Sequence, residues 1–189
     1  MKNIVILCGG AGKRFQRVSI KTPKILAEIK PGLRMLDWLL LEYLPRNSRI
    51  ILAVGHLKES VKDFVYQKKY NKNIIFSAEE NKLGTGGALI KAARIVNSKE
   101  FIAINGDTLQ EVKMNEFISK SKLMEGAKIN VGCTSYDLKD SGKLLIDSKN
   151  FIIDFSEKKL PSIKKENNIK LCTSIGMYTC DTEFFRSLP

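Results

Sequence analysis

Several common functional signatures are missing from this sequence of 189 residues. No apolar run approaches the ~20 residues that a membrane-spanning helix needs. The chain begins with one lysine and a short apolar run that ends in glycines, which is not the pattern of a secretory signal. The single histidine, His56, stands alone, and we assign it no catalytic role. These absences favour a cytoplasmic protein with no membrane partner.

Cysteine motifs for metal binding are also absent. The four cysteines are far apart and include no CxxC pair; they are Cys8, Cys133, Cys172 and Cys180. Each lies in or near an apolar, strand-like run. We therefore expect them to be reduced and mostly buried, rather than joined in disulfides or bound to a metal.

Acidic residues are few beside the basic ones. The chain has 20 Asp and Glu against 32 Lys and Arg, a formal net charge of +12. Such an excess can indicate a nucleic-acid partner. However, the lysines are spread along the whole chain, and the densest cluster, Lys158 to Lys170, has no interleaved aromatic residue. We therefore expect a solvated basic surface that also suits a polyphosphate substrate, and no nucleic-acid partner.

Strand-like and helix-like segments alternate over the first two-thirds of the chain. The predicted strands are Ile4–Cys8, Arg49–Val54, Asn73–Ser77, Phe101–Ile104 and Lys128–Cys133. The predicted helices are Met35–Tyr43, Leu57–Tyr66, Ala88–Val96 and Met114–Leu123. This alternation predicts an α/β fold with a Rossmann-like, mostly parallel sheet that carries helices on both faces.

The pattern becomes more antiparallel from about Lys128. Few helical segments separate the later strands, which we predict at Lys143–Ile146, Phe151–Phe155 and Leu171–Tyr178. A last helix is predicted at Thr182–Ser187. We interpret 1–189 as a single domain with two parts, 1–127 and 128–189.

A glycine-rich loop follows the first predicted strand, after Leu7. It contains Gly9, Gly10, Ala11, Gly12, Lys13 and Arg14, and Lys24 follows ten residues later. Glycines let backbone N–H groups crowd around an anion, and the neighbouring cations favour a phosphate. The loop is not a GxxxxGK[ST] motif. It is not a dinucleotide fingerprint either, because Phe15 stands where that motif needs a small residue.

A second cluster runs from Glu79 to Ala88 and includes three glycines, Gly84, Gly86 and Gly87. We expect these glycines to precede a helix and to let a flat nucleobase approach the backbone. A carboxylate nearby could read the edge of the base. The alternative is a glycine-rich helix start that Thr85 caps, which explains one glycine but not three.

The third cluster is Asn105-Gly106-Asp107, directly after the strand at Phe101–Ile104. A carboxylate at the end of a strand suits Mg²⁺, which prefers oxygen ligands. The alternative is an aspartate in a plain turn. Because parallel sheets bind ligands at the carboxyl ends of their strands, we expect all three clusters to converge on one edge of the sheet.

Together these motifs resemble the sugar-1-phosphate nucleotidylyltransferases, the pyrophosphorylases that make nucleotide sugars. The sequence carries GGxGxR followed by PK, and its LGTGGA block is most similar to the mannose- and heptose-1-phosphate guanylyltransferases. The resemblance implies a nucleotide-diphospho-sugar transferase fold. It also implies Mg²⁺ as cofactor and an NTP and a sugar 1-phosphate as substrates, with GTP favoured. The products would be an NDP-sugar and pyrophosphate.

The resemblance also implies residue roles. The catalytic residues would be Arg14, Lys24 and Asp107, with Asp107 holding the metal. The nucleotide would contact Leu7, Gly9, Gly10, Ala11, Gly12, Lys13, Glu79, Gly84, Thr85 and Gly106. The sugar phosphate would contact Gly142, Glu157, Lys158 and Ser174. The first part, 1–127, would then bind the nucleotide, and the second, 128–189, the sugar phosphate.

The sequence departs from the family in two places. Ser174 and Ile175 replace the asparagine and alanine of the family's N-A-G-I-Y strand, which leaves the sugar open. No D-[IV]-G-[TS]-P-like segment follows Tyr178, so the second metal ligand is unassigned: either the chain is truncated or the protein completes its metal site differently. Cytidylyl, uridylyl or thymidylyl transfer to another phosphorylated substrate and a non-catalytic nucleotide-sugar-binding relative remain alternatives. The sequence also leaves open whether the protein is a homo-oligomer.

Overall fold

The computed structural model describes residues 1–9, 22–70, 73–138, 141–156 and 168–189. The chain forms two compact units. The first consists of Met1–Asn130 and Tyr178–Pro189, and the second of Val131–Met177. No helix in the described ranges is long and apolar enough to cross a membrane.

Every strand and helix that the sequence predicts has a counterpart in the structure. The strands are β1 (Lys2–Leu7), β2 (Glu28–Lys30), β3 (Leu33–Arg34), β4 (Ser48–Val54), β5 (Asn73–Ala78), β6 (Glu100–Asn105), β7 (Ile129–Thr134), β8 (Lys143–Ile146), β9 (Ile152–Ser156) and β10 (Lys170–Asp181). The helices are α1 (Met35–Trp38), α2 (Lys58–Lys68), α3 (Gly84–Ala93), α4 (Met114–Lys120) and α5 (Thr182–Ser187). A π-helical turn, Leu39–Tyr43, continues α1.

The first unit is built on four parallel strands in the order β5-β4-β1-β6. In the middle of the sheet, Ile4 pairs with Ile50 on one side and with Ile102 on the other. These strands are continuous apolar runs because both faces of the sheet are buried. The chain adds β4 and β5 on one side of β1 and then crosses to place β6 on the other. The order therefore reverses at β1, the point where such sheets bind their ligands.

Helices cover this sheet through small and apolar side chains. Helix α3 buries Ala88, Leu89, Ala92 and Ala93, and these residues pack with Val5 and Phe101 of the sheet in one core. Helix α5 adds Phe185 to that core, and its first residue follows Asp181, whose side chain accepts the N–H of Phe184 at 2.8 Å. The predicted parallel α/β fold is confirmed.

The second unit contains the antiparallel strands. Strand β8 pairs with β10 on one side and with β9 on the other, both antiparallel, and β7 pairs with β10. Leu144 of β8 lies opposite Cys172 of β10 and opposite Phe155 of β9. These three side chains therefore share one face of the strands, because directly paired residues point the same way. This region confirms the smaller antiparallel part of the predicted fold.

Two local predictions are wrong. Helix α3 begins at Gly84 rather than after the glycines, because its exposed first turn carries no apolar residue to mark it. The cysteines are free, but they are not mostly buried: Cys180 is buried, Cys8 and Cys172 are half-buried and Cys133 is exposed. The last of these lies on β7, where no residue is fully buried, so an apolar run was a poor guide to burial there.

Candidate active site

The carboxyl ends of β1, β4, β5 and β6 are joined by backbone hydrogen bonds in the first unit. The N–H of Cys8, just after β1, donates to the carbonyl of Ala53 in β4 at 2.9 Å. The N–H of Gly106, just after β6, donates to the carbonyl of Leu7 at the end of β1 at 3.0 Å. The N–H of Glu79, just after β5, donates to the carbonyl of Val54 at the end of β4 at 2.8 Å. Residues from the three sequence clusters therefore meet at one edge of the sheet, as the rule for parallel sheets predicted.

Lys24 and Asp107 lie in direct contact at this edge. The Lys24 Nζ is 2.6 Å from the Asp107 Oδ2, although the two residues are 83 positions apart. Their side chains are 44% and 41% exposed, so a ligand from solvent can reach both. The backbone bond from Gly106 to Leu7 places this carboxylate beside the end of β1. Burial and the negative charge of Asp107 both raise the pKa of the nearby Cys8 thiol.

Position 106 has no room for a side chain, because Ile25 packs against it. A Cβ at position 106 would lie 2.7 Å from the Cδ1 of Ile25 and 3.0 Å from the carbonyl oxygen of Leu7. Ile25 is buried and follows Lys24 in a short 3₁₀ turn, Lys24–Leu26. The missing side chain thus lets the turn that carries Lys24 pack against the end of β6, next to Asp107.

Glu79 is a buried carboxylate beside the glycine at the end of β1. Its side chain is 7% exposed, and its Oε2 accepts the N–H of Leu83 at 3.2 Å. A Cβ built on Gly9 would lie 3.7 Å from both carboxylate oxygens. Glu80 behaves differently, since it is exposed and pairs with Lys58 at 2.7 Å. The two neighbouring glutamates therefore differ in environment, the first buried and the second exposed.

The start of α3 is open to solvent. A Cβ built on Gly84 or on Gly86 would meet no atom within 4 Å, and Thr85 is exposed. The first N–H groups of a helix have no partner within the helix and carry partial positive charge. Helix α3 begins five residues after Glu79. Its exposed N–H groups can therefore donate hydrogen bonds to a ligand near the carboxylate of Glu79.

In the second unit, Gly142 and Ser174 are hydrogen-bonded to each other. The N–H of Ser174 donates to the carbonyl of Gly142 at 2.8 Å, and Ser174 is 7% exposed. A Cβ on Gly142 would lie 2.6 Å from the ring of Phe155. The glycine therefore leaves room for an aromatic ring, and this ring is 50% exposed. Two of the predicted sugar-phosphate residues are thus neighbours.

The remaining predicted site residues lie outside the described residues, and their roles stay predictions. They are Gly10, Ala11, Gly12, Lys13, Arg14, Glu157 and Lys158. Among the described residues, no group of three or more His, Cys, Asp or Glu side chains could hold a metal ion.

Sequence reasoning missed two residues at this edge, Gly55 and Ile25. A Cβ on Gly55 would lie 3.2 Å from the carbonyl oxygen of Gly9 and 3.4 Å from the Oε2 of Glu79. A signal for Gly55 was present, because it follows the apolar run of β4 just as Gly9 follows β1. No signal marked Ile25, since an isolated apolar residue after Lys24 does not reveal its contact with Gly106.

Comparison with known proteins identifies the family of this chain. The family profile described as Nucleotidyl transferase matches residues 3–188. The chain therefore belongs to the nucleotidyl transferase family.

The particular relatives are sugar-phosphate enzymes. A D-glycero-alpha-D-manno-heptose 1-phosphate guanylyltransferase from Campylobacter jejuni is 32% identical over 159 residues, 82% of this chain and 67% of that protein. The protein of the same name from Aneurinibacillus thermoaerophilus is 34% identical over 120 residues, which cover 61% of this chain. The chain spans half (50%) of that second relative's length. These relatives confirm the resemblance that the motifs predicted.

A solved structure supports the same relationship. The crystal structure of HddC from Yersinia pseudotuberculosis is 28% identical and matches with a TM-score of 0.79, covering 100% of this chain and 80% of that one. The same protein complexed with GMP-PN matches with a TM-score of 0.75. The predicted fold is thus shared with a protein that binds a guanine nucleotide analogue.

Replacing Gly106 with alanine should destabilise the first unit. The new Cβ would overlap Ile25 and the Leu7 carbonyl, and overpacking of this kind costs about 1–3 kcal/mol. Gly86→Ala is the matched control, since its Cβ meets nothing within 4 Å in a helix, where alanine is favoured over glycine by about 1 kcal/mol. Urea unfolding measures both. Equal stability of the two variants would contradict the tight contact at Gly106.

Proposed function

We propose that this protein transfers a guanylyl group from GTP to a sugar 1-phosphate. A phosphate oxygen of the sugar phosphate attacks the α-phosphorus of GTP, and the bond from that phosphorus to the bridging oxygen of the β-phosphate breaks. The products are a GDP-sugar and pyrophosphate. The observation that carries the proposal is the Lys24–Asp107 contact at the reversal point of a parallel sheet. Because GTP is a cytoplasmic metabolite, we place the activity in the cytoplasm.

No protein nucleophile is needed for this reaction. The attacking sugar phosphate is already anionic, so the protein must bring two anions together and neutralise charge that develops between them. Lys24 would stabilise the α-phosphate under attack. Arg14, through its charge, would stabilise the leaving pyrophosphate, and the loop glycines would supply backbone donors. In the second part of the chain, Lys158 would hold the sugar phosphate.

Asp107 fits a magnesium ion as one of its ligands. Members of this family generally depend on a divalent metal. Mg²⁺ is commonly bound by one or two carboxylates together with substrate phosphates and waters, and Asp107 supplies one half-exposed carboxylate. When bound, the ion would neutralise charge between the α-phosphate and the sugar phosphate. Lys24 would then lose Asp107 as its partner, and its ammonium group would be available to the nucleotide.

Glu79 supports guanine as the base. A carboxylate only accepts hydrogen bonds. Guanine presents two adjacent donor groups, N1–H and the 2-amino group, whereas adenine, cytosine and uracil have no such pair. Glu79 is buried and beside Gly9, where it can accept from that edge while the open start of α3 supplies donors. The names of the heptose-1-phosphate guanylyltransferase relatives agree with this assignment.

The proposed sugar substrate is a class rather than one compound. Gly142, Glu157, Lys158 and Ser174 would contact the sugar phosphate. The heptose-1-phosphate relatives and a mannose-1-phosphate guanyltransferase from Candida glabrata, 29% identical over 96% of this chain and 59% of that protein, support a heptose or hexose 1-phosphate. Serine in place of asparagine at position 174 leaves a shorter hydrogen-bonding group there.

The test is pyrophosphate release with Mg²⁺, crossing the common NTPs with a panel of hexose and heptose 1-phosphates. We expect release with GTP and one sugar phosphate and little with the other nucleotides. If no substrate pair released pyrophosphate while GTP still raised the thermal stability of the protein, catalysis would be contradicted and a non-catalytic relative favoured. Release with CTP, UTP or dTTP instead would contradict the guanine assignment alone.

Glu79→Gln should weaken the preference for GTP. The glutamine keeps the size of the side chain but replaces one acceptor with a donor, which opposes the donor edge of guanine. A good bidentate contact is worth about 1–3 kcal/mol of base discrimination, so kcat/KM for GTP should fall by roughly 10–100-fold relative to other NTPs. The matched control is Glu80→Gln, the exposed neighbour that pairs with Lys58. An equal effect of both substitutions, or none from Glu79→Gln, would contradict the role of Glu79.

A further inference from the structure

A second cavity lies in the first unit, between the β2–β3 hairpin and helix α2. Its volume is about 620 Å³, which falls within the range of about 300–1,000 Å³ typical of small-molecule sites. None of the candidate active-site residues that the structure describes lines it. The proposed reaction therefore does not account for this cavity.

Secondary structure collects polar side chains around the cavity. Helix α2 contributes residues spaced three or four apart, which share one face of a helix. They are Ser60, Asp63, Phe64, Gln67 and Lys68. From the hairpin, Glu28 and Arg34 line the cavity, and they are directly paired across the two strands. Their side chains thus share a face of the hairpin.

Asp37 is the most buried charged residue of the lining, at 3% exposure. Its Oδ2 accepts the backbone N–H of Arg34 at 3.2 Å, and its Oδ1 accepts the hydroxyl of Tyr70. The Lys68 Nζ is 3.8 Å from the same Oδ1. An ionised carboxylate has about four acceptor positions. Asp37 can therefore accept a further hydrogen bond from a molecule in the cavity.

Two cationic side chains of the lining are held by one aromatic ring. The Arg34 guanidinium lies 4.9 Å from the centre of the Phe64 ring, and the Lys68 Nζ lies 5.6 Å from it. Contacts of this kind between a cation and an aromatic face are attractive. They keep two hydrogen-bond donors at the cavity before any ligand arrives, which lowers the ordering cost of binding.

The charges of the lining select the class of ligand. Arg34 and Lys68 only donate hydrogen bonds, whereas the carboxylates of Glu28, Asp37 and Asp63 only accept them. An anion would meet three carboxylates, and an organic cation would meet two positive charges. The carboxylates are not a metal site either, since the described part of the chain has no group of three or more His, Cys, Asp or Glu side chains able to hold an ion.

We propose that this cavity is a second ligand site, which binds a neutral sugar. Each hydroxyl of a sugar both donates and accepts hydrogen bonds, so one ring can satisfy the donor-only and the acceptor-only side chains together. Hydrogen bonds to charged groups are also stronger than those between neutral groups. The site is separate from the residues proposed to contact the sugar 1-phosphate, and it does not depend on the proposed function.

The cavity also borders the turn that carries Lys24. Pro23, directly before Lys24, and the buried Leu26 both line it, and Leu26 belongs to the same 3₁₀ turn as Lys24. A bound sugar would therefore contact residues on both sides of Lys24. We expect the backbone of this turn to respond when the cavity is filled.

The test is a titration of the ¹⁵N-labelled whole protein with D-mannose, D-glucose and D-galactose, followed by NMR. At least one sugar should give saturable shifts in the amides of 60–68 and of 24–26. Inorganic phosphate and methylammonium should not shift the amides of 60–68. The proposal is wrong if none of the sugars shifts those amides, or if phosphate or methylammonium shifts them instead.

Matched variants of α2 test the lining itself. Asp63→Ala removes an exposed acceptor, and Lys68→Met keeps the apolar stem near Phe64 while it removes the ammonium group. Each should raise the Kd of the sugar roughly 10-fold or more, the effect of losing a hydrogen bond to a charged group. The control is Lys62→Met, since Lys62 pairs with Glu59 at 2.9 Å and does not line the cavity.

The NMR spectra of the three variants also report whether each is folded. An unchanged Kd in both folded lining variants, or an equal loss in Lys62→Met, would overturn the sugar site. Pyrophosphate release is measured separately, so failure of the proposed reaction and failure of this site are distinguishable.

Discussion

The contact between the Lys24 Nζ and the Asp107 Oδ2 is the interaction on which the candidate site depends. It joins the 3₁₀ turn Lys24–Leu26 to the end of β6 at the point where the strand order reverses. An exposed ion pair contributes only about 0–1 kcal/mol to stability. The Lys24–Asp107 pair therefore matters for the location of its two charges rather than for stability. The buried contact of Ile25 with Gly106 holds the ammonium and the carboxylate together where a polyphosphate can meet both.

The sequence predicts the strands of the parallel sheet well, because strands buried on both faces are continuous apolar runs. The run of β4, Ser48–Val54, is apolar over most of its length, and no alternation obscures it. Elements without buried residues are harder to predict. Strands β2 and β3 are only three and two residues long and contain no fully buried residue, so they show no recognisable pattern. The sequence predicts the start of helix α3 at Ala88 instead of Gly84, because the glycines of its first turn form no apolar pattern.

The sequence predicted the residue types of the candidate site but only part of its geometry. The family resemblance pointed to Lys24, Asp107 and Glu79, but that Glu79 rather than Glu80 is buried depends on packing that the sequence does not reveal. Packing reasons for a glycine, such as Ile25 against Gly106, appear only in three dimensions. The pairing of β7 with β10 likewise joins segments that are distant in sequence. Roles of the residues outside the described ranges stay predictions.

The most direct test of the account is a double-mutant cycle on Lys24 and Asp107 in GTP-dependent pyrophosphate release. Each single alanine variant should lower kcat by about 10²–10³-fold, the effect of losing one charge-stabilising group. The double variant should lose little more than the worse single, because the two groups act as a unit. Glu116→Ala, which breaks the exposed Lys120–Glu116 pair, is the control and should leave kcat unchanged. Near-normal kcat in a folded Asp107→Ala variant, or losses that simply add, would contradict the account.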